Sequence, residues 1–463
     1  MKNANRLKLV LVTAASFAIA LAEPMSVAQE VTVRPPAAAT RPVIDDYFGT
    51  SVSDSYRWME DSNSAELDQW MRQQNEYARN VLGRIRVRSE LLRRIDALSE
   101  QGPDARRMHL AQGQLFYLKR GAGDSAFKLI VRDRRGQERT LVDPEQQASH
   151  ETHYSIDFFK SSPNGRYVAY GMSAGGSEDS VIHVVEVSSG KELPEAIDRA
   201  GGNRGMIQTI VWHPNSKAFF YNRGRPRTAE MSRADFQLRT RAYMHVLATD
   251  PNGDPALLGF DISPSLPFTD IDSPHIYAAP GSPYAVGLVY HGVRSEVTLY
   301  TARLDQIRGA DTPWRKVVDV DDAVTHFAIK DSRVYLLTHK DASRSKVIVV
   351  SLRDSTAVDA KVVVPPSEAV RQRIAVAKDA LYIRALDGGI GRVKRFDFAS
   401  TKLSDVPLPF DGSVQEIVTD PKRPGVVFKT EGWTQSSRFL RYFPQTGTVK
   451  NTGAIPPDRK SVV

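Results

Sequence analysis

Between positions 64 and 100 apolar residues recur at intervals of three and four; beyond position 101 that rhythm is lost. Leu67, Trp70, Met71, Ala78, Val81, Leu82 and Ile85 share one face at the helical period. Ser64 stands where an N-cap belongs, and Glu66 and Asp68 fill the first turn, where the helix dipole favours acids. A second helix is expected over roughly Arg88 to Ser99. The two predict a helical hairpin whose apolar face packs on something larger. The stretch before them, DDYFGTSVSDSYRWMEDSNS, reads as a loop rich in aromatics and turn formers.

After Gln101 short apolar runs alternate with Gly, Pro, Asn and Asp clusters. The first set is LFYLKR (115–120), RYVAYGM (166–172), KAFFYN (217–222), YAVGLVY (284–290), RVYLLTH (333–339), ALYIRA (380–385) and GVVFKTE (425–431). Each is followed by a second run: FKLIVRD, SVIHVVEV, YMHVLAT, EVTLYTARL, KVIVVSL, RVKRFDF and SRFLRYF. The mean spacing of these pairs is about 49 residues, in the range of propeller blades. One four-stranded sheet cannot bury both its faces, whereas seven placed radially bury each other and leave only short edges. SPNGRY (162–167) and HPNSKA (213–218) take the same place before the second strand of two successive blades, with Asn-Gly and Asn-Ser as hairpin residues. The expected fold is therefore mainly β: a seven-bladed β-propeller over 101–455, preceded by a short N-terminal helical hairpin within 43–100.

The chain start changes the picture. Lys2, Arg6 and Lys8 precede an apolar run from Leu9 to Ala22, too short to span a membrane comfortably, and Ser26-Val27-Ala28 offers a cleavage site. Residues 1–28 read as a secretory signal peptide, 29–42 (QEVTVRPPAAATRP) as a Pro/Ala-rich extended linker, and 456–463 as a C-terminal tail. The expected location is periplasmic or secreted, with no stable membrane span once the leader is removed. The 463 residues carry a formal charge of +8, and the leader holds three basic residues and one acid, leaving +6. Those charges are interspersed, which argues against nucleic acid. The absence of cysteine excludes thiol nucleophiles and cysteine-bound metals.

Candidate chemistry starts at Gly171-Met172-Ser173-Ala174-Gly175, a literal G-x-S-x-G, the spelling of a nucleophile elbow. An elbow needs a helix after the serine. Here the β-branched run Val181, Ile182, Val184, Val185 and Val187 follows, so Ser173 reads as a turn residue between two strands. The last histidine is His339, which leaves no late triad base. His150 and His153 lack a third metal ligand, and DPNGD (250–254) lacks the remaining ligands of a calcium loop. RGRPRT (223–228) reads as a solvated basic loop, and Trp58, Trp70, Trp212, Trp314 and Trp433 as packing residues. No cofactor and no metal is expected.

Tyr56-Arg57-Trp58-Met59-Glu60-Asp61, followed by Trp70 and Gln74-Asn75 on a helix, resembles the N-terminal signature of the prolyl oligopeptidase family of serine peptidases. YVAYGMSAGGSED (167–179), KELPEAI (191–197), IVWHPNSKAFFYN (210–222) and YMHVLATDPNGD (243–254) resemble its propeller, so the likeness covers about 42–455. It implies a seven-bladed propeller with no strand clasp between first and last blades, seated over an α/β-hydrolase domain with a Ser-Asp-His triad. Family members cleave proline-containing oligopeptides after the proline, and the propeller excludes large folded substrates. The N-terminal segment belongs to the hydrolase side.

This chain departs from the pattern by ending at IPPDRKSVV, where the hydrolase would begin, so no catalytic residue is assigned. The resemblance implies one substrate-pocket position within the propeller, near Ile207 by counting back from Trp212, where an apolar strand residue of the blade core is the other reading. Two expectations result. The first is the truncated, non-catalytic part of an exported prolyl oligopeptidase-like peptidase, inactive alone. Its partners would be proline-containing oligopeptides and a separate hydrolase domain on the N-terminal helices. The second is a free-standing periplasmic propeller that binds or scaffolds. The first expects the helices to show an exposed apolar face.

Overall fold

The computed structural model describes residues 34–61, 63–99, 103–149, 152–200, 210–263 and 265–455. The leader, the final tail and Ile207 lie outside the described residues. The chain divides between Ser99 and Glu100 into two compact units.

The first unit opens with a β-hairpin, Val43–Tyr47 against Thr50–Asp54, where the sequence reads as a loop. Its two-residue turn sets Phe48 at φ 57° and Gly49 at φ 83°, the primed geometry that suits strand twist. The strands mix polar and apolar residues on both faces and are largely exposed, so no alternation betrays them. Arg57 ties the hairpin to the next turn, donating to Asp54 Oδ2 at 2.9 Å and to Asp45. The stretch read as a linker is anchored within this unit: Gln74 Nε2 donates to the Pro36 carbonyl at 2.6 Å and Trp58 Nε1 to that of Ala39 at 2.8 Å.

Helices α1 (Ala65–Gly83) and α2 (Arg88–Ser99) follow, and the Ser64 hydroxyl accepts from the Leu67 N–H as an N-cap. Only Leu67 of α1 is buried. Val81, Leu82, Ile85, Leu91, Leu92 and Ile95 are each 40–54% exposed. The apolar face the sequence predicts is covered at Leu67, half-covered at Trp70, and exposed from Val81 onward.

The second unit is a seven-bladed propeller. Six blades are four-stranded antiparallel meanders with strands in chain order. Blade 2 has three strands, and its outer edge is finished by the bridges Val185 to Glu192 and Ile182 to Ile197. The first strands are Asp104–Ala111, Tyr154–Ser161, Ile210–Trp212, Asp272–Ala278, Val324–Lys330, Val370–Val376 and Ser413–Val418. Each touches the first strand of the next blade, except that blade 5 meets the third strand of blade 4 (Val297–Arg303); blade 7 meets blade 1 and closes the ring. The first strands are therefore innermost.

Seven apolar clusters occupy the seven interfaces between neighbouring blades. This explains the unbroken apolar runs. Phe219 and Tyr221 pack toward blade 2 while Phe220 packs toward blade 4. Leu115 and Tyr117 face blade 7, while Phe116 and Leu118 face blade 2. A sheet covered on both faces needs apolar residues at every position, and each fully buried large side chain contributes about 1.5–3 kcal/mol. The paired turns also meet across blades: Gly165 at φ 70° and Ser216 at φ 60° complete them, and the Asn164 N–H donates to Ser216 Oγ at 3.2 Å.

Candidate functional site at the propeller axis

Five inner strands carry one extra residue relative to their partner strand. The register shifts between Arg106 and His109, Ile156 and Phe158, Val324 and His326, Arg371 and Arg373, and Val414 and Glu416. Such bulges leave backbone groups without a ladder partner, and in a packed interior those groups need another.

Neighbouring blades supply it. Glu416 of blade 7 accepts the N–H groups of Arg107 and Met108 in the blade 1 bulge, both at 3.2 Å. Arg107 in turn donates to the carbonyl of Asp157, the extra residue of blade 2. Arg384 of blade 6 donates to the carbonyl of Gln415, the extra residue of blade 7. A relay of clasps thus runs from blade 6 through blades 7 and 1 to blade 2. Lys429 adds a bond to the Ala105 carbonyl at 3.1 Å, and Ala105, Met108, Tyr117, Val427 and Phe439 share the apolar cluster beneath. Among the described residues no strand crosses between the first and last blades.

The same clasps leave charge behind. Arg107 and Arg384 are bonded to neutral carbonyls, and among the described residues Lys160 and Arg373 have no side-chain hydrogen bond or ion pair, so none of the four is neutralised by direct pairing. Two acids lie nearby and hold neutral donors, Glu416 two backbone N–H groups and Asp157 the Ser180 hydroxyl at 2.7 Å; Glu416 offsets part of the charge at Arg384. The histidines register this field. Burial first, then the charges of Arg373 and Arg384, push His326 down to about 3. Burial and then Lys160 hold His109 well below the usual imidazole range, and Lys160 itself is pushed down by burial to about 8. The site can hold anionic or carbonyl-rich ligands in extended form. Nothing in the sequence flags it, because each cation alone looks like a solvated strand residue.

Ser173 is placed differently from the sequence expectation. It lies inside the strand Tyr167–Ala174, only 2% exposed, and the turn begins at Gly175 and Gly176. Among the described residues its Oγ has no hydrogen-bond partner, and a strand, Val181–Glu186, follows. Gly171 is needed because the Phe158 ring lies across it: a Cβ there would sit 2.1 Å from Phe158 Cζ. Both glycines of the motif serve the sheet.

His150 lies outside the described residues and His153 is exposed on a strand approach; no cluster that could hold a metal occurs among the described residues. DPNGD forms a short 3-10 turn capped by Asp250, with Asp254 turned inward to Tyr221 and His245. The basic loop is not simply solvated: Arg223 is buried on Asp198, and Arg227 forms a bidentate pair with Asp179. Of the tryptophans, Trp212 packs against Tyr167 and donates to the Lys160 carbonyl at 2.9 Å, while Trp433 is fully exposed.

Sequence and structure comparisons agree with this geometry. The prolyl oligopeptidase N-terminal β-propeller domain matches residues 35–452. The prolyl endopeptidase of Elizabethkingia meningoseptica is 22% identical over 417 residues, covering 87% of this chain and 54% of that protein. That of Elizabethkingia miricola is 24% identical over 222 residues, covering 48% of this chain and 30% of that protein. Among solved structures, a prolyl endopeptidase superposes with a TM-score of 0.78 at 23% identity, over 90% of this chain and 59% of that one. Prolyl oligopeptidase B from Galerina marginata, bound to a macrocyclization substrate, gives 0.78 at 19% identity over 92% and 61%. The chain thus spans about half the length of the first of these relatives.

Proposed function

The chain belongs to the prolyl oligopeptidase N-terminal β-propeller family, and we propose that it is the non-catalytic part of an exported prolyl oligopeptidase-like serine peptidase. In this reading the propeller admits extended proline-containing oligopeptides along its axis and keeps folded proteins out. A hydrolase domain docks on α1 and α2 and performs the cleavage. The observation that carries the reading is the apolar face of those helices, exposed from Val81 onward, with Leu91 and Ile95 each 54% exposed. Isolated apolar side chains are ordinary on a surface, but a contiguous helical stripe marks an interaction site. An export signal over residues 1–28 would place the work in the periplasm or outside the cell. No described helix is long and apolar enough to cross a membrane.

The test is hydrolysis of a chromogenic prolyl peptide by the purified chain, alone and with a family hydrolase domain fused after Val463. Alone, no turnover sensitive to a serine-reactive fluorophosphonate is expected. The fusion should cleave short peptides and spare folded proteins. Inhibitor-sensitive turnover by the chain alone sinks the proposal.

A second reading, a free-standing binding or scaffold propeller, draws on the seven blade interfaces, each of which has an apolar cluster made by this chain alone. A monomeric, cooperatively unfolding chain that fails to bind an added family hydrolase domain would favour it.

A further inference from the structure

We infer that the propeller axis selects its peptides by charge, taking those that carry carboxylates: acidic side chains or a free C-terminus. The inference rests on reading the axis as the peptide path. Propellers enclose a central channel, and the inner strands that border it here contribute Arg107, Lys160 and Arg373, joined by Arg384 from the neighbouring strand. Two facts about their partners make this a field and not a set of closed ion pairs. The bonded arginines spend their N–H groups on the carbonyls of Asp157 and Gln415, which satisfies donors without cancelling charge. Lys160 and Arg373 are half-buried and hold no side-chain partner among the described residues.

The cations outnumber the acids beside them. Glu416 and Asp157 keep their charge, since their partners are neutral N–H and O–H donors, and Glu416 offsets part of the field at Arg384, while Asp104 is paired with Lys429 at 3.6 Å and Asp272 lies 2.8 Å from His291. The reach of the positive field is visible in His326, whose protonation Arg373 and Arg384 both oppose, and in His109, opposed by Lys160. Charges of one sign lining a channel with low-dielectric walls focus the field on whatever enters. A carboxylate that enters finds two cations with free donors. A lysine side chain meets repulsion from four.

The experiment uses the full chain and N-terminally labelled proline-containing octapeptides that differ at one position, Glu, Gln or Lys, each with a free or an amidated C-terminus, read by fluorescence anisotropy. The Glu peptide is expected to bind about tenfold more tightly than the Lys peptide at low salt, a difference of about 1.4 kcal/mol. Raising the salt should narrow the gap. Glu against Gln reports the side-chain carboxylate; acid against amide reports the C-terminus. Lys160→Gln with Arg373→Gln should abolish the preference, and neither change removes a hydrogen bond, so the fold is retained. Equal affinity for all peptides overturns charge selection while leaving the axial path intact. Binding of none overturns both. A preference that survives the double substitution, or that is insensitive to salt, also overturns it.

Discussion

Glu416 and Arg107 are 309 positions apart in the chain, yet the carboxylate of one accepts the backbone N–H of the other at 3.2 Å. The bond closes a circle, because it joins the last blade to the first. Glu416→Ala would leave the N–H groups of both Arg107 and Met108 without a partner. A stability loss of about 1–3 kcal/mol is expected, at the lower end if water reaches the bulge. Glu416→Gln, whose amide oxygen still accepts, should lose less. Urea unfolding of the three proteins checks the order.

Gly171 and Ser173 share the elbow-like motif and should respond oppositely. Gly171→Ala forces a Cβ into the Phe158 ring and is expected to cost about 1–3 kcal/mol or more. Phe158→Ala in the same chain should recover part of that loss, giving a non-additive cycle. Ser173→Ala removes a buried hydroxyl with no partner and should be neutral or stabilising by up to about 1 kcal/mol. Neither wild type nor variant should take up a fluorophosphonate label.

His245 gives a pH dependence. It is fully buried between Asp254, whose carboxylate lies 3.0 Å from Nδ1, and Glu195, 3.6 Å from Nε2. Burial opposes its charge, but the two carboxylates outweigh burial and hold it up at about 9. Since the folded value exceeds the unfolded one, the stabilisation is full below about pH 6.5 and is lost as pH rises through 9. A fall on the order of 2–3 kcal/mol between pH 6 and 10 is expected from this site. In His245→Gln the unfolding free energy should be lower throughout and lack this slope.

The exposed stripe of the first unit makes a contrasting prediction. Leu91→Glu with Ile95→Glu alters side chains that touch little, so the stability of the free chain should move by no more than about 0.5 kcal/mol per site. The same pair should abolish binding to a hydrolase domain added in trans, measured by analytical ultracentrifugation.

The sequence read best where burial is two-sided. Second and third strands such as Ala218–Arg223 and Val297–Arg303 are packed on both faces and appear as continuous apolar runs. First strands escaped notice because a bulge resets their alternation midway. In Val370–Val376 the extra residue puts Arg371 and Arg373 on either side of the reset, and neither looks like core. Outer strands such as Leu403–Asp405 are short and exposed and carry no pattern. The axial cations are invisible for a related reason. Their shared location is a property of three blades at once, and no window of one blade contains it. The strand that holds Ser173 runs through Ala174, so the turn lies two residues later than Gly-x-Ser suggests.

The junction between blades 7 and 1 has an apolar cluster, as the other six do, and carries side-chain bonds besides. The point where the chain enters the ring is therefore joined as firmly in kind as the joints within it. If residues 103 and 455 were joined by a short linker and the backbone opened at an exposed connection between two other blades, the same circle should assemble from a rotated order of blades. The propeller is in this sense a closed cycle of seven apolar joints, each able to hold without a covalent link across it.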